Sequence, residues 1–170
     1  MKPKKQEPEK RPIDQYYETY NQLARQVRYP ALLYTGIVLL LFGLVSFVWA
    51  IPFPHLAFLG KYNGFVNWAS FLIAIIIYYY LRLSPPVSYL MLFMLFGFSY
   101  IIIQLEKWQK IGGMPLWSVG VIAIGIGIAV YVSVIRSSRI ANQTLLSVKT
   151  FIIAPLWILT SVLRKLKVRY

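Results

Sequence analysis

Cysteine is absent from this 170-residue chain, histidine occurs once, and only five residues are acidic. The lack of cysteine excludes disulfides and thiolate metal sites. The single imidazole, His55, has no carboxylate near it in sequence. One histidine does not make a metal site, so His55 reads as an interfacial loop residue. Four of the five acids fall within the first 18 residues. Between Ala31 and Leu81 the only ionisable group besides tyrosine and histidine is Lys61. Ion-coupled transporters and membrane enzymes carry intramembrane ionisable groups, and their scarcity argues against both. The sequence also holds no Ser/His/Asp set, no paired carboxylates and no phosphate-binding glycine loop.

What the chain does have is apolar length. Hydrophobic residues make up 58% and charged residues 14%, against roughly half and a quarter in soluble domains. The excess comes in blocks, predicting an all-α, multi-pass membrane protein of about four spans in one membrane domain over 14–170. Spans are expected near 30–51, 68–83, 87–105 and 116–135, each close to the ~20 residues that cross a bilayer core. Pro52 and Pro54 end the first, and Ser84-Pro85-Pro86 makes a sharp turn after the second. Residues 1–13 are rich in Lys, Glu and Pro and read as a disordered basic tail. Asp14 is placed to cap a helix. Tyr16, Tyr20, Leu23 and Val27 then share one helical face, with Arg25 and Arg28 away from it, predicting an amphipathic helix on the membrane surface. No cleavable signal peptide is evident.

Basic residues flank the apolar blocks, and the net charge is +13. That distribution points to an anionic bilayer surface as the partner, not to nucleic acid. The segment before the first span carries seven Lys/Arg, the 52–67 loop one and the 106–114 loop two. Arg136, Arg139 and Lys149 follow the fourth span, and Arg164, Lys165, Lys167 and Arg169 end the chain. Positive residues favour the cytoplasm, so four spans put both termini inside. The block 145–163 is apolar but interrupted by Lys149 and Pro155. A fifth full span would carry the basic tail outside. The block therefore reads as an interfacial or re-entrant hairpin bent at Pro155.

Arg82, Arg136 and Arg139 are candidate lipid-headgroup contacts at the cytoplasmic edge, beside Tyr78 to Tyr80 in an aromatic belt. Gly125, Ala129 and Ser133 are spaced by four in the last span, and Ala123 and Gly127 form a second such pair. Small residues at that spacing permit close helix packing, against a helix of the same chain or of a second copy. Glu106, Lys107 and Lys110 read as a solvated polar loop.

The order of elements resembles the membrane 2-hydroxy fatty acid dioxygenases of fungal phytosphingosine breakdown and their bacterial relatives. The resemblance spans about Asp14 to Tyr170. It rests on Tyr79-Tyr80-Leu81-Arg82-Leu83-Ser84, on Pro115-Leu116-Trp117 and on Ala154-Pro155-Leu156-Trp157, with the interval from Trp117 to Pro155 matching ungapped. The family binds iron through histidines. A pattern similar to His-Gln-Asn-Pro-x-Asn-x-x-x-His falls on Asn21 to Pro30, where only Gln22 matches. A second, similar to Gly-Gln-x-x-Gly-His-x-x-Glu, falls on Val130 to Ser138, with Ile135 at the histidine and Ser138 at the glutamate position. Asn21 offers a weak oxygen at best, and Pro30 and Ile135 offer no ligand.

The resemblance thus implies a degenerate, non-catalytic relative without catalytic or metal residues and without a cofactor. Such a protein would be a lipid- or partner-binding scaffold, in a bacterial inner membrane. Two alternatives remain open at this level. One is an iron-dependent dioxygenase with a rebuilt metal site. The other is a small membrane subunit or a transporter of neutral or lipid cargo.

Overall fold

The computed structural model describes residues 12–54, 56, 60, 66–137, 148–165 and 167. Side chains at 12, 19, 23 and 148–153 fall outside that description, and so does most of the expected disordered tail. Among the described residues the chain forms six α-helices and no strand. They are α1 (Pro12–Arg25), α2 (Pro30–Trp49), α3 (Trp68–Leu83), α4 (Pro85–Lys110), α5 (Leu116–Ser137) and α6 (Val148–Lys165).

Local chemistry explains where these helices start and stop. Pro30 opens α2 and Pro85 opens α4, where a missing N–H costs nothing. Asn67 caps α3 in a reciprocal box: its side chain accepts from the Ser70 amide at 2.9 Å, and Ser70 Oγ accepts from the Asn67 amide at 3.3 Å. Ser84 is extended because a proline follows, so α3 and α4 are joined by one residue and must run antiparallel. Ser88 Oγ then donates to the Ile77 carbonyl at 3.3 Å across that hairpin. Past α4, the Gly113 amide donates to the Trp108 carbonyl and the Gly112 amide to that of Gln109. This is a Schellman closure, and it requires the positive φ of 97° that Gly112 adopts.

Three helices, α2, α4 and α5, are long and apolar enough to cross a membrane. The apolar α3 is shorter, at 16 residues. The outer surface agrees with a lipid environment. Phe93 is 70% exposed and Ile75 66%, among many large apolar side chains that point away from the bundle. A water-facing surface does not carry that much apolar area.

α2 is the centre of the bundle, packed against α3, α4, α5 and α6. Its closest partner is α5, with which it runs antiparallel and almost in backbone contact. A Cβ on Gly36 would lie 3.2 Å from the Tyr131 amide, and one on Gly43 only 2.8 Å from that of Ile124. From the other side, a Cβ on Gly120 would meet the Phe47 amide at 2.8 Å, and one on Gly127 the Leu40 amide at 2.9 Å. α4 presents Val87, Met91, Leu95, Phe98 and Ile102 to the interior, spaced by a turn. The basic end of the bundle gathers the start of α2, the turn at Ser84 and the ends of α5 and α6.

Several expectations are corrected. The helix that carries the third expected span does not end near 105. α4 continues to Lys110, roughly 39 Å at 1.5 Å per residue, so Glu106, Lys107 and Lys110 lie on helix rather than in a loop. Glu106 and Lys110 form an i,i+4 ion pair at 3.3 Å, which together with the Schellman closure sustains the extra turns. Asp14 lies inside the first turn of α1, not at its cap. The buried face of α1 is Ile13, Tyr17, Tyr20 and Ala24, continued by Val27 just past its end, while Tyr16 is exposed. That rotation aims α1 at α6, against which it packs. The C-terminal hairpin is replaced by one continuous helix running through Pro155, with 145–147 outside the described residues. Proline removes one helical hydrogen bond, and here the burial of Ala154, Leu156, Trp157, Leu159, Thr160 and Leu163 holds the helix together across it.

Candidate functional site

Two concave regions lie at opposite ends of the bundle. At the end away from α6, a cleft of about 330 Å³ is lined by Trp49, Phe53, Asn67, Glu106, Gln109 and Trp117 among others. Its polar groups already work for the fold. Asn67 caps α3, Glu106 pairs with Lys110, and Gln109 Oε1 accepts from the Leu116 amide at 2.8 Å, capping α5. Trp68 Nε1 donates to the Pro52 carbonyl at 3.2 Å and tethers the neighbouring loop. The cleft is the seam where four helix ends are tied, and it offers no cluster of reactive groups.

The basic end is built differently. Trp157 on α6 is buried and stacks face to face on Tyr34 of α2, with centroids 4.8 Å apart and planes 3° from parallel. Tyr20 of α1 lies against the same ring, also at 4.8 Å. Two turns further along α6, the Arg164 guanidinium sits 3.8 Å from the Tyr17 ring centroid and 3.8 Å from Asp14 Oδ1. These contacts clamp α1 onto α6. Beside the clamp a groove of about 250 Å³ opens between α2 and α6, lined by Tyr34, Ile158, Ser161, Val162 and Lys165. Ser161 Oγ donates to the Trp157 carbonyl at 2.7 Å, and its side chain lies near the Tyr34 hydroxyl.

Burial pushes the Tyr20 phenol far above its ordinary value. The neutral form is favoured by folding, so its contribution to stability is complete below the unfolded value near 10 and is lost as pH rises past it. The loss reaches about 1.4 kcal/mol per pH unit while only the unfolded phenol is ionised. The Tyr20 hydroxyl faces that of Tyr131, which adds to the shift, but among the described residues it makes no hydrogen bond of ordinary geometry. Tyr20→Phe is therefore expected to leave stability at pH 7 unchanged or slightly raised, and to flatten the alkaline limb above about pH 10. Thermal melts of both proteins in one detergent across pH 7 to 11 would check this.

The candidate residues fall in different places. Arg82 is exposed at the basic end, where its Nε and Nη2 donate to the Tyr78 hydroxyl at 3.0 and 2.8 Å. Arg136 is exposed in the last turn of α5. Arg139, His55 and Lys61 lie outside the described residues. The two small-residue sets separate onto different faces. Ala123 and Gly127, with Gly120, are buried against α2. Gly125, Ala129 and Ser133 are exposed, and a Cβ on Gly125 would meet nothing within 4 Å. The aromatic clamp was not anticipated. The available signal was the four-residue spacing of Trp157, Ser161 and Lys165, which marks one face of a continuous helix.

At the described positions that the dioxygenase resemblance assigns to iron ligands stand aliphatic, imino and amide side chains. Ile135 is buried in the apolar cluster that contains Tyr20, Val27 and Leu33. Pro30 is exposed at the start of α2, and Asn21 is half-buried on α1. Ser138 lies outside the described residues. Among the described residues, no group of three or more His, Cys, Asp or Glu side chains is placed to hold a metal. The chain matches no family model, no curated protein and no solved structure.

Proposed function

We propose that this chain is a non-catalytic multi-pass membrane scaffold that binds lipid through its basic end, and a degenerate relative of the 2-hydroxy fatty acid dioxygenases. The observation that carries the reading is the pairing of an apolar outer surface with a rim of cationic side chains at one end. Arg28, Arg82, Arg136 and Lys165 are all exposed there, at the level where tyrosine and tryptophan of an interfacial belt belong. The aliphatic and imino side chains at the ligand positions support the non-catalytic part. In this reading α3 makes the fourth crossing. Its length, roughly 24 Å, is completed by Trp68 at one boundary and by Tyr78, Tyr79 and Arg82 at the other. The basic end then faces the cytoplasm, with both termini cytoplasmic and the bundle in a bacterial inner membrane.

The test is elemental and lipid analysis of detergent-purified protein from iron-supplemented cells. The expected result is iron at background with phospholipid retained. Iron near one per chain, with oxygen consumed on a 2-hydroxy fatty acid, would overturn the reading and restore the enzyme.

A further inference from the structure

We propose that the groove between α2 and α6 is a specific site for one anionic glycerophospholipid, its phosphate held by Lys165 and Tyr34 and its acyl chain lying along Ile158 and Val162. The inference rests on the lipid-binding reading above and adds to it a place, a headgroup charge and named contacts.

The geometry carries it in three ways. The first is polarity arranged by depth. Tyr34 lies one turn inside the start of α2, and Lys165 ends α6, so the hydroxyl and the ammonium both stand at the rim of the bundle. Val162 and Ile158 lie one and two turns back along α6 from Lys165; Ile158 sits beside Ile37, Val38 and Leu41, further along α2 than Tyr34, and Val162 is 41% exposed. A charged rim over an apolar floor matches a phospholipid and not a soluble phosphate ester.

The second is preorganisation. Tyr34 is stacked flat on Trp157, which Tyr20 supports from α1. The ring is therefore fixed before a ligand arrives, and ordering it costs nothing on binding. Its hydroxyl borders Ser161, a rotor that already satisfies itself on the Trp157 carbonyl. The phenol O–H can turn to a phosphate oxygen without leaving a buried group unpaired.

The third is charge. Lys165 forms no ion pair among the described residues, whereas the adjacent Arg164 is engaged with Tyr17 and Asp14. An ammonium with three donors suits a phosphate. The surrounding excess of Lys and Arg disfavours headgroups that carry their own cation, so an anionic lipid is preferred over a zwitterionic one. The larger cleft at the opposite end lacks these features: among the described residues lining it there is no cation, and its carboxylate, Glu106, is paired with Lys110.

The experiment is native mass spectrometry of the full chain, titrated with palmitoyl-oleoyl phosphatidylglycerol and with phosphatidylcholine of the same chains. The wild type is expected to hold one phosphatidylglycerol in preference to phosphatidylcholine. Lys165→Gln should weaken that first binding about fivefold, the effect of one interfacial cation. Val162→Trp fills the groove from its exposed side while keeping the ammonium, and should remove the preference. Lys110→Gln, at the other end, should change nothing. If Lys165→Gln and Val162→Trp both bind as the wild type does, the site is wrong and the lipid-binding scaffold stands. Glycerol 3-phosphate binding as tightly as the lipid would overturn the acyl-chain half and leave a phosphate site. A wild type that retains neither lipid would overturn this proposal and the lipid-binding reading together.

Discussion

Gly43→Leu is expected to be the most damaging single substitution in the membrane bundle, with Gly120→Leu close behind. A Cβ at Gly43 would lie 2.8 Å from the Ile124 amide nitrogen and 2.9 Å from the Gly120 carbonyl oxygen. Both are backbone atoms and cannot rotate away. At Gly120 the obstacles are the Phe47 amide and Cα, at 2.8 and 3.0 Å. The larger side chain can be accommodated only if α2 and α5 separate. Overpacking of a well-filled core costs about 1–3 kcal/mol, and more where backbones must shift. In a bilayer no hydrophobic force draws the helices back, because lipid tails are as apolar as the packing they replace. Gly125→Leu is the matched control on the same helix. Its Cβ would meet nothing within 4 Å, so its effect should stay within about 0.5 kcal/mol. Melting temperatures of the three variants in one detergent, at equal protein concentration, decide the matter. Equal damage from Gly125→Leu would mean that the outer face of α5 is covered, and the first test would then be for a second copy.

Trp157→Ala is expected to lower stability by about 3–5 kcal/mol, the usual cost of emptying a buried aromatic site. The ring is 3% exposed and packs against both Tyr20 and Tyr34. Aromatic pairs add about 0.5–1.5 kcal/mol each beyond area burial. The consequence is also directional. α1 docks on the bundle through Tyr20 against Trp157 and Tyr17 against Arg164, so its release should precede global unfolding. Limited trypsin digestion reads this directly, because Arg25 and Arg28 lie at the end of α1 and in the short link to α2. Cleavage there should accelerate in Trp157→Ala under conditions that leave α2 to α5 intact. Trp157→Phe should retain most of the stacking while removing an indole N–H that has no partner among the described residues, and so should cost far less. Unchanged cleavage in Trp157→Ala would show that α1 is held by other contacts, and the clamp would lose its structural role.

The sequence legibly contained the helices and obscured their faces. Prolines at 30, 52, 54, 85 and 86 punctuate the apolar blocks, and an apolar block in lipid must satisfy its backbone internally, so a helix follows. The starts of α2, α3 and α5 are therefore readable to within a residue or so of 30, 68 and 116. The end of α4 was not readable, because Glu106 to Lys110 look like a loop by polarity. What extends the helix is an ion pair together with a glycine closure. The rotation of α1 was misread by a single residue. Tyr16 and Tyr17 are chemically alike, and only the guanidinium of Arg164, 147 positions later in the chain, selects Tyr17. Pro155 was misleading for the same kind of reason. Proline weakens a helix locally, and whether it breaks one depends on what the flanking turns bury.

The candidate site divides along the same line. That this chain holds apolar blocks long enough to cross a membrane, carries basic residues flanking them and lacks the side chains for a multi-histidine centre was determined by composition and order alone. These are properties of residue types, which no fold can alter. Which glycines meet another backbone, which tyrosine stacks on Trp157, and that Lys165 stands over an apolar groove while Arg164 is engaged elsewhere were decided only by tertiary structure. Each depends on the distance between residues far apart in the chain. Such distances come from the sum of many weak packing contacts, and no local pattern of residues encodes them.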